Sequence, residues 1–150
     1  MKRRDFLKGA TIISASGILM GSPIVLGNVQ ASDKPYTMTL NDPHEPTELE
    51  MKHVPLLSIP KEVKKDQWFL VKIRVGFKKV HPSTPKHWID EISLWIDGKE
   101  VVRDKILYGG LSAPEAVFRI KLSRDARLHA VGHCNLHGWW MCEAIKVRVV

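Results

Sequence analysis

A regular alternation of apolar and polar residues over residues 67–77 constrains the fold of this chain more than any other feature. The apolar positions fall on every second residue, and they are Phe69, Val71, Ile73, Val75 and Phe77. Side chains of a β-strand point alternately to its two faces, so a period of two indicates a strand with one buried face. We therefore expect residues 67–77 to form a strand that covers one side of a hydrophobic core.

Similar but shorter patterns recur along the chain after residue 31. They cover residues 88–96, 116–122, 127–134 and 144–150, and a first edge strand is expected at residues 36–40. Asp97-Gly98 is typical of a tight hairpin turn, here leading into Val101-Val102. No long segment after Ala31 shows helical periodicity. The sequence therefore predicts an all-β fold, an antiparallel β-sandwich of about seven strands.

The N-terminus has the composition of an export signal. Arg3-Arg4 precede Phe6-Leu7-Lys8, an uncharged run covers residues 9–27, and small residues precede Ala31. This order is typical of a twin-arginine signal peptide cleaved after Ala31, with a retained membrane anchor as the alternative. We predict a signal at residues 1–31, a domain at 32–150, contact with the membrane only during export, and a periplasmic or otherwise extracytoplasmic location.

Length and charge limit the remaining possibilities. The 150 residues suffice for one domain with a core, and the formal net charge is +7. Residues 1–31 hold four of the 23 basic and one of the 16 acidic residues, so the domain has 19 and 15, a net of +4. This mild excess can attract a small anion but is no nucleic-acid signature.

Cys134 and His137 offer a thiol and an imidazole three residues apart on a predicted turn. A thiolate is a soft ligand and an imidazole a borderline one, so the pair suits iron, copper or zinc. Two cysteines in an oxidising compartment also allow a Cys134–Cys142 disulfide. Both interpretations stay open at this point.

Three further histidines lie near predicted loops. His81 and His87 flank a loop stiffened by two prolines, and His53 precedes Val54-Pro55. Four imidazoles and one thiolate would leave one octahedral position vacant, whereas a structural zinc site is closed with four ligands. Because twin-arginine export moves folded proteins, the signal also favours a metal loaded before export. The candidate ligands are therefore His53, His81, His87, Cys134 and His137.

Three motifs in this order resemble the superoxide reductase family, which includes neelaredoxin and the iron domain of desulfoferrodoxin. The motifs are Lys52-His53-Val54-Pro55, His81-Pro82 with His87, and Cys134-Asn135-x-His137-Gly138. The resemblance runs from Met51 to the C-terminus. It implies an immunoglobulin-like β-sandwich with one mononuclear iron. The four histidines would be its equatorial ligands, and Cys134 the axial thiolate opposite a vacant position.

The same resemblance implies the activity and its partners. The reaction is the one-electron reduction of superoxide to hydrogen peroxide, and a rubredoxin-like or other small electron donor re-reduces the iron. Lys52 matches the family's lysine beside the site, where it attracts the anion. Lys79 and Lys86 are either further contributors to that field or ordinary surface charges. Single-iron members of the family form homo-oligomers, so we expect one here.

Met51 departs from the family pattern, in which a glutamate usually stands directly before the lysine and closes the sixth position of the oxidised iron. A thioether is a poor ligand for ferric iron. We therefore expect an oxidised site that is open or holds water or hydroxide. Superoxide reduction should survive, whereas the spectrum, the redox potential and the resistance to anions such as azide are expected to change.

Two other functions fit parts of the pattern. Cys134, His137 and Met141, with an upstream histidine, have the ligand order of a blue-copper electron carrier. A metal-free sandwich module that binds a partner would leave Cys134 free to pair with Cys142. The first predicts copper and the second predicts no stoichiometric metal, so metal content distinguishes them from the iron enzyme.

Overall fold

The structure is a computed structural model that describes residues 37–150, and the export signal predicted at residues 1–31 lies outside this range. The described part is built almost entirely of strands, which confirms the all-β class. In chain order, the elements are β1 (Thr37–Met38), α1 (Glu48–His53), β2 (Pro55–Ser58), β3 (Glu62–Val63), β4 (Phe69–Val75), β5 (Ile89–Ile96), β6 (Lys99–Lys105), β7 (Glu115–Ile120), β8 (Ala126–Cys134), β9 (Gly138–Met141) and β10 (Ile145–Val149).

The larger sheet has seven strands and is organised around β8. Strand β5 pairs with one side of β8 and with β6 beyond it, while β9 and β10 pair with different ends of its other side. All these pairs are antiparallel. Asp97 and Gly98 have φ angles of 49° and 79°, which confirms the tight turn predicted between β5 and β6.

The smaller sheet has three strands in the order β2-β4-β7, and both pairs are antiparallel. The buried apolar face predicted for residues 67–77 is confirmed, because Val71, Ile73 and Val75 are fully buried. They share one hydrophobic core with Leu94 and Leu128 of the larger sheet. The two sheets therefore pack as a sandwich, with Cys134 at the margin of the same core.

The structure adds elements that the sequence pattern did not predict. Strands β2, β3 and β9 have two to four residues each, too few to show a period. Two edge pairs, β1 with β9 and β3 with β10, are parallel rather than antiparallel. His53 was expected in or beside a loop but ends the short helix α1. Within residues 37–150, no helix is long and apolar enough to cross a membrane.

Helix α1 is fixed at its start by a capping box. The hydroxyl of Thr47 accepts the backbone N–H of Glu50, and the carboxylate of Glu50 accepts the backbone N–H of Thr47. The Glu50 carboxylate also accepts the backbone N–H of Asn41 at 2.9 Å. These bonds satisfy donors that a helix terminus otherwise leaves free, so six residues suffice for a helix here.

Candidate metal centre

The five residues proposed as ligands converge on one point. One ligand atom from each of them lies within 4.8 Å of all the others, and the set is His53, His81, His87, Cys134 and His137. These residues come from the end of α1, the connection between β4 and β5, the end of β8 and the turn into β9. Within the part of the chain that the structure describes, this cluster contains no carboxylate.

The four imidazole rings are arranged as a square. Ring centroids of successive neighbours are 4.6, 4.6, 4.9 and 4.7 Å apart in the order His53, His81, His87, His137 and back to His53. Neighbouring planes are nearly perpendicular, at 71° to 81°, whereas His53 and His87 face each other across the square at 6.1 Å. Four nitrogens directed at one centre can serve one metal ion.

Two backbone carbonyls fix which nitrogens face the centre. His53 Nδ1 donates to the carbonyl of Leu49 at 2.7 Å, and His81 Nδ1 donates to that of Pro82 at 2.6 Å. A neutral imidazole with its proton on Nδ1 has its free electron pair on Nε2. The two Nε2 atoms lie 3.1 Å apart, so both are presented as ligand atoms.

His137, His87 and Cys134 supply the remaining three donor atoms. His137 presents Nδ1, which lies 3.0 Å from His53 Nε2 and 3.4 Å from Cys134 Sγ. His87 presents Nε2, 3.2 Å from the same sulfur. The thiol is therefore in contact with the square of imidazoles, and the donors are three Nε2 atoms, one Nδ1 atom and one sulfur.

Burial favours the neutral form of His53, His81 and His87. Desolvation lowers the pKa of His53 to about 4, and it lowers that of His81 to about 4 as well. The pKa of His87 is also lowered, first by burial and then by the charges of His137 and Lys52. At neutral pH these rings need to lose no proton before they bind a metal.

Cys134, unlike these histidines, must lose a proton before it binds a metal. Burial raises the pKa of its thiol, although the backbone N–H groups of Leu136 and His137 favour the thiolate. A thiol coordinates a metal as the thiolate, and a bound cation supplies the charge that displaces the proton. The side chain is fully buried, so this sulfur is shielded from water.

Asn135 joins the two loops that carry four of the five donors. Its Oδ1 accepts the backbone N–H of Trp88 at 2.9 Å, and its Nδ2 donates to the carbonyl of Lys86 at 3.0 Å. Its own backbone N–H donates to the carbonyl of Trp88. These three bonds hold both neighbours of His87 beside Cys134. The sequence motif contains Asn135, but a role for it was not predicted.

Trp140 and Gly76 also determine the positions of the ligands. Trp140 is buried, its ring lies 5.2 Å from that of His53, and its Nε1 donates to the carbonyl of His137 at 3.1 Å. The loop to His81 begins at Gly76, whose φ is 96° and where a Cβ would lie 2.1 Å from the carbonyl oxygen of Lys79. Only glycine fits this position.

Access is possible from one side. His53, His81 and Cys134 are buried, whereas His87 and His137 are partly exposed. Lys52 lies in α1 directly before His53, and its charge contributes to the lowered pKa of both His53 and His87. A cation therefore lies close enough to the cluster to act on two of its rings, and a role for Lys52 towards the substrate stays a prediction.

A model of the desulfoferrodoxin family matches residues 45–143. The chain belongs to the desulfoferrodoxin family. This match includes all three motifs and every member of the cluster. The family assignment and the fold class therefore agree with the resemblance seen in the sequence.

Curated members of the family cover most of the described domain. The superoxide reductase of Thermococcus kodakarensis is 32% identical over 100 residues, which are 61% of this chain and 84% of that protein. The superoxide reductase of Pyrococcus horikoshii is 35% identical over 101 residues, with the same shares.

Solved structures of the family have the same fold. The superoxide reductase (neelaredoxin) of Ignicoccus hospitalis has a TM-score of 0.58 at 31% identity and covers 65% of this chain and 81% of its own. The reduced form of the Archaeoglobus fulgidus protein has a TM-score of 0.59 at 26% identity and covers 75% and 98%.

Helix α1 explains why Glu50 does not take the place of the glutamate that the family usually has at the position of Met51. The Glu50 carboxylate is buried and accepts hydrogen bonds from the backbone N–H groups of Asn41 and Thr47 and from the Thr47 hydroxyl. These bonds lower the pKa of Glu50, the Asn41 contact most. A carboxylate so engaged is not free to reach a metal.

The alternative functions lose their structural basis in the family fold. Cys134 and Cys142 are both free thiols, so the disulfide is absent from the described chain. Met141 pairs with Val131 and Cys134 with Gly138, so the backbone positions of Met141 and Cys134 are three residue pairs apart along the strands. Residues three apart on a strand point to opposite faces, so the Met141 side chain is directed to the face opposite Cys134, which does not favour a blue-copper site.

Proposed function

We propose that this protein is a superoxide reductase, an oxidoreductase that converts superoxide to hydrogen peroxide. The overall change consumes one superoxide, one electron from an external donor and two protons from solvent. The observation that supports this most strongly is the square of four imidazoles in contact with one buried thiol. Relatives that share the motifs are named superoxide reductases.

The donor set fits a mononuclear iron. His53, His81, His87 and His137 would supply neutral nitrogens and Cys134 an anionic sulfur, a combination that suits a borderline transition metal. Bound iron supplies a one-electron couple between its ferrous and ferric states and a coordination position for a small anion. Five protein donors exceed the four of a closed zinc site.

The chain's own groups perform the remaining tasks. The carbonyls of Leu49 and Pro82 hold the proton of His53 and of His81 on Nδ1, away from the centre. The thiolate of Cys134 donates electron density, and the N–H groups of Leu136 and His137 moderate its charge. Lys52 attracts the anionic substrate to the partly exposed side of the cluster.

A stoichiometric assay on purified protein tests this function. We expect one iron per chain, and one hydrogen peroxide formed for each superoxide consumed by the reduced protein. Half that peroxide yield would indicate dismutation instead, copper would indicate an electron carrier, and absence of metal would refute the enzyme.

A pair of cysteine variants provides a matched control for the assay. Cys134→Ser is expected to lower the rate more than about 100-fold, because it removes a ligand rather than a supporting group. Cys142→Ser should retain activity, since Cys142 lies outside the ligand cluster, where its sulfur accepts the backbone N–H of Ala130 at 3.2 Å. Equal losses in both variants would argue against a specific role for Cys134.

We further propose that the protein is exported in the folded, iron-loaded state, is cleaved after Ala31 and acts in the periplasm. The twin arginines and the apolar run at residues 9–27 support this location. A rubredoxin-like or other small protein would donate the electron, and a homo-oligomer is expected. Changing Arg3 and Arg4 to lysine should keep the protein in the cytoplasmic fraction, and unchanged fractionation would refute twin-arginine export.

A further inference from the structure

Glu48 forms an ion-pair group with two lysines at the edge of the metal centre. Its Oε1 lies 2.8 Å from Lys52 Nζ, and its Oε2 lies 2.5 Å from Lys79 Nζ. The three side chains are 38% to 56% exposed, so their charges face solvent. This group, Glu48 with Lys52 and Lys79, is called the rim cluster below.

The fold brings the three residues together from two elements that carry ligands. Glu48 and Lys52 lie four residues apart on α1, on one face of the helix that ends at His53. Lys79 lies on the loop that leads to His81. The backbone N–H of Lys79 donates to the carbonyl of Met51 at 3.2 Å, which anchors that loop on the helix.

The charges of the rim cluster cancel in part. Hydrogen bonds from Lys52 and then Lys79 lower the pKa of Glu48 to about 2, so its carboxylate is ionised at neutral pH. Two ammonium groups and one carboxylate leave one net positive charge. No carboxylate belongs to the ligand cluster within residues 37–150, and that of Glu50 is committed to capping.

We propose that Glu48 tunes the affinity of the metal centre for small anions by cancelling one of the two lysine charges at its rim. This inference rests on the proposed function. With Met51 before Lys52, no side chain at that position can compete with an incoming anion. A rim with two uncompensated charges would concentrate competing inorganic anions as well as superoxide. Glu48 leaves one net positive charge at the rim, so it lowers the attraction for every small anion without removing it.

The affinity of the oxidised, iron-loaded protein for azide tests this inference. Visible absorption reports azide binding without any measurement of turnover. At an ionic strength of about 10 mM, Glu48→Gln should bind azide about two- to fivefold more tightly than the wild type, because one screened charge at the rim contributes an effect of that order. The gain should largely disappear at about 0.5 M.

Two further variants separate charge from structure. Glu62→Gln is the matched control, since Glu62 is 52% exposed and pairs with Arg148 on β3 and β10, and it should leave azide binding unchanged. The double variant Glu48→Gln with Lys79→Gln restores one net charge and should return to wild-type affinity. An unchanged or weakened affinity in Glu48→Gln, or a double variant that stays tight, would overturn the inference.

Failure of the inference and failure of the proposed function give different results. A wild type that binds azide but makes no peroxide would refute the function alone. A wild type with full peroxide yield, together with identical azide affinities for the Glu48→Gln and Glu62→Gln variants, would refute the role of Glu48 alone. A wild type that takes up no iron would refute both.

Discussion

Asn135 is the residue at which the two loops of the metal centre are tied together. Its side chain bonds to the backbone on both sides of His87, 47 and 49 residues away along the chain. Within residues 37–150, no backbone carbonyl holds the Nδ1 of His87 in the manner seen for His53 and His81. Its position therefore depends on the loop, and the loop depends on Asn135.

Replacing Asn135 with alanine is expected to weaken iron binding by about 10- to 100-fold, the usual effect of removing a group that orients a ligand. Iron affinity measured by competition with a chelator checks this. Asn135→Asp should fall between alanine and the wild type, because it keeps an acceptor for the Trp88 N–H and loses the donor to the Lys86 carbonyl. Wild-type iron affinity in the alanine variant would contradict the assignment.

The ligands could be predicted at this scale, whereas their supports could not. Histidine and cysteine are common metal ligands, so His53 and Cys134 were identifiable from their residue type together with their motifs. Asn135 and Glu48 have roles only through partners such as Lys86 and Lys79, and Glu48–Lys79 spans 31 residues. The helical spacing of Glu48 and Lys52 would have indicated their pairing if α1 had been predicted.

At the scale of elements, α1 has more influence on the site than its length suggests. Its six residues include Glu48, Lys52 and His53. The carbonyl of Met51 in this helix accepts the backbone N–H groups of Lys78 and Lys79, which lie on the loop to His81. A helix this short has little stability of its own. The capping box of Thr47 and Glu50 therefore matters more here than in a long helix.

Thr47→Ala should lower the free energy of unfolding by about 1 kcal/mol, because one helix N–H loses its acceptor. Urea denaturation of the metal-free protein measures this. Thr39→Ala is the matched control, since Thr39 is exposed and lies outside every element, and it should change stability by less than about 0.5 kcal/mol. Equal stability of the two variants would show that the cap is dispensable.

Long alternating strands were predictable from their period alone, as β4 and β8 illustrate. Strands of two to four residues, such as β3 and β9, carry no readable period, since pairing with neighbours rather than local pattern defines them. The parallel edge pairs likewise depend on where distant segments meet. The short helix was missed because its capping bonds, not apolar periodicity, determine it.

For the whole molecule, the buried histidines make stability depend on pH. Burial lowers the pKa of His53 and of His81 to about 4 in the folded state, from an ordinary value of 6.5. Between these two values the unfolded chain binds more protons than the folded one. The metal-free protein should therefore lose stability as the pH falls from about 6.5 towards 4.

Urea midpoints measured across that pH range check the prediction. His81→Gln removes one of the two groups and should give a shallower dependence on pH than the wild type. His44→Gln is the control, because His44 lies exposed in the loop before α1, and its slope should match the wild type. A slope unaffected by His81→Gln would mean that His81 does not contribute to the acid sensitivity.

The spacing of the ligands along the chain has a consequence for biosynthesis. His53 and His137 are 84 residues apart yet their ring nitrogens lie 3.0 Å from each other. A nascent chain that has been synthesised only as far as β7 contains three of the five donors and neither the thiol nor the last histidine. The complete ligand set therefore exists only once the chain has been synthesised beyond the end of β8 and His137. An ion that needs all five donors binds the native state in preference to the unfolded chain, and it thereby shifts the folding equilibrium towards the native state.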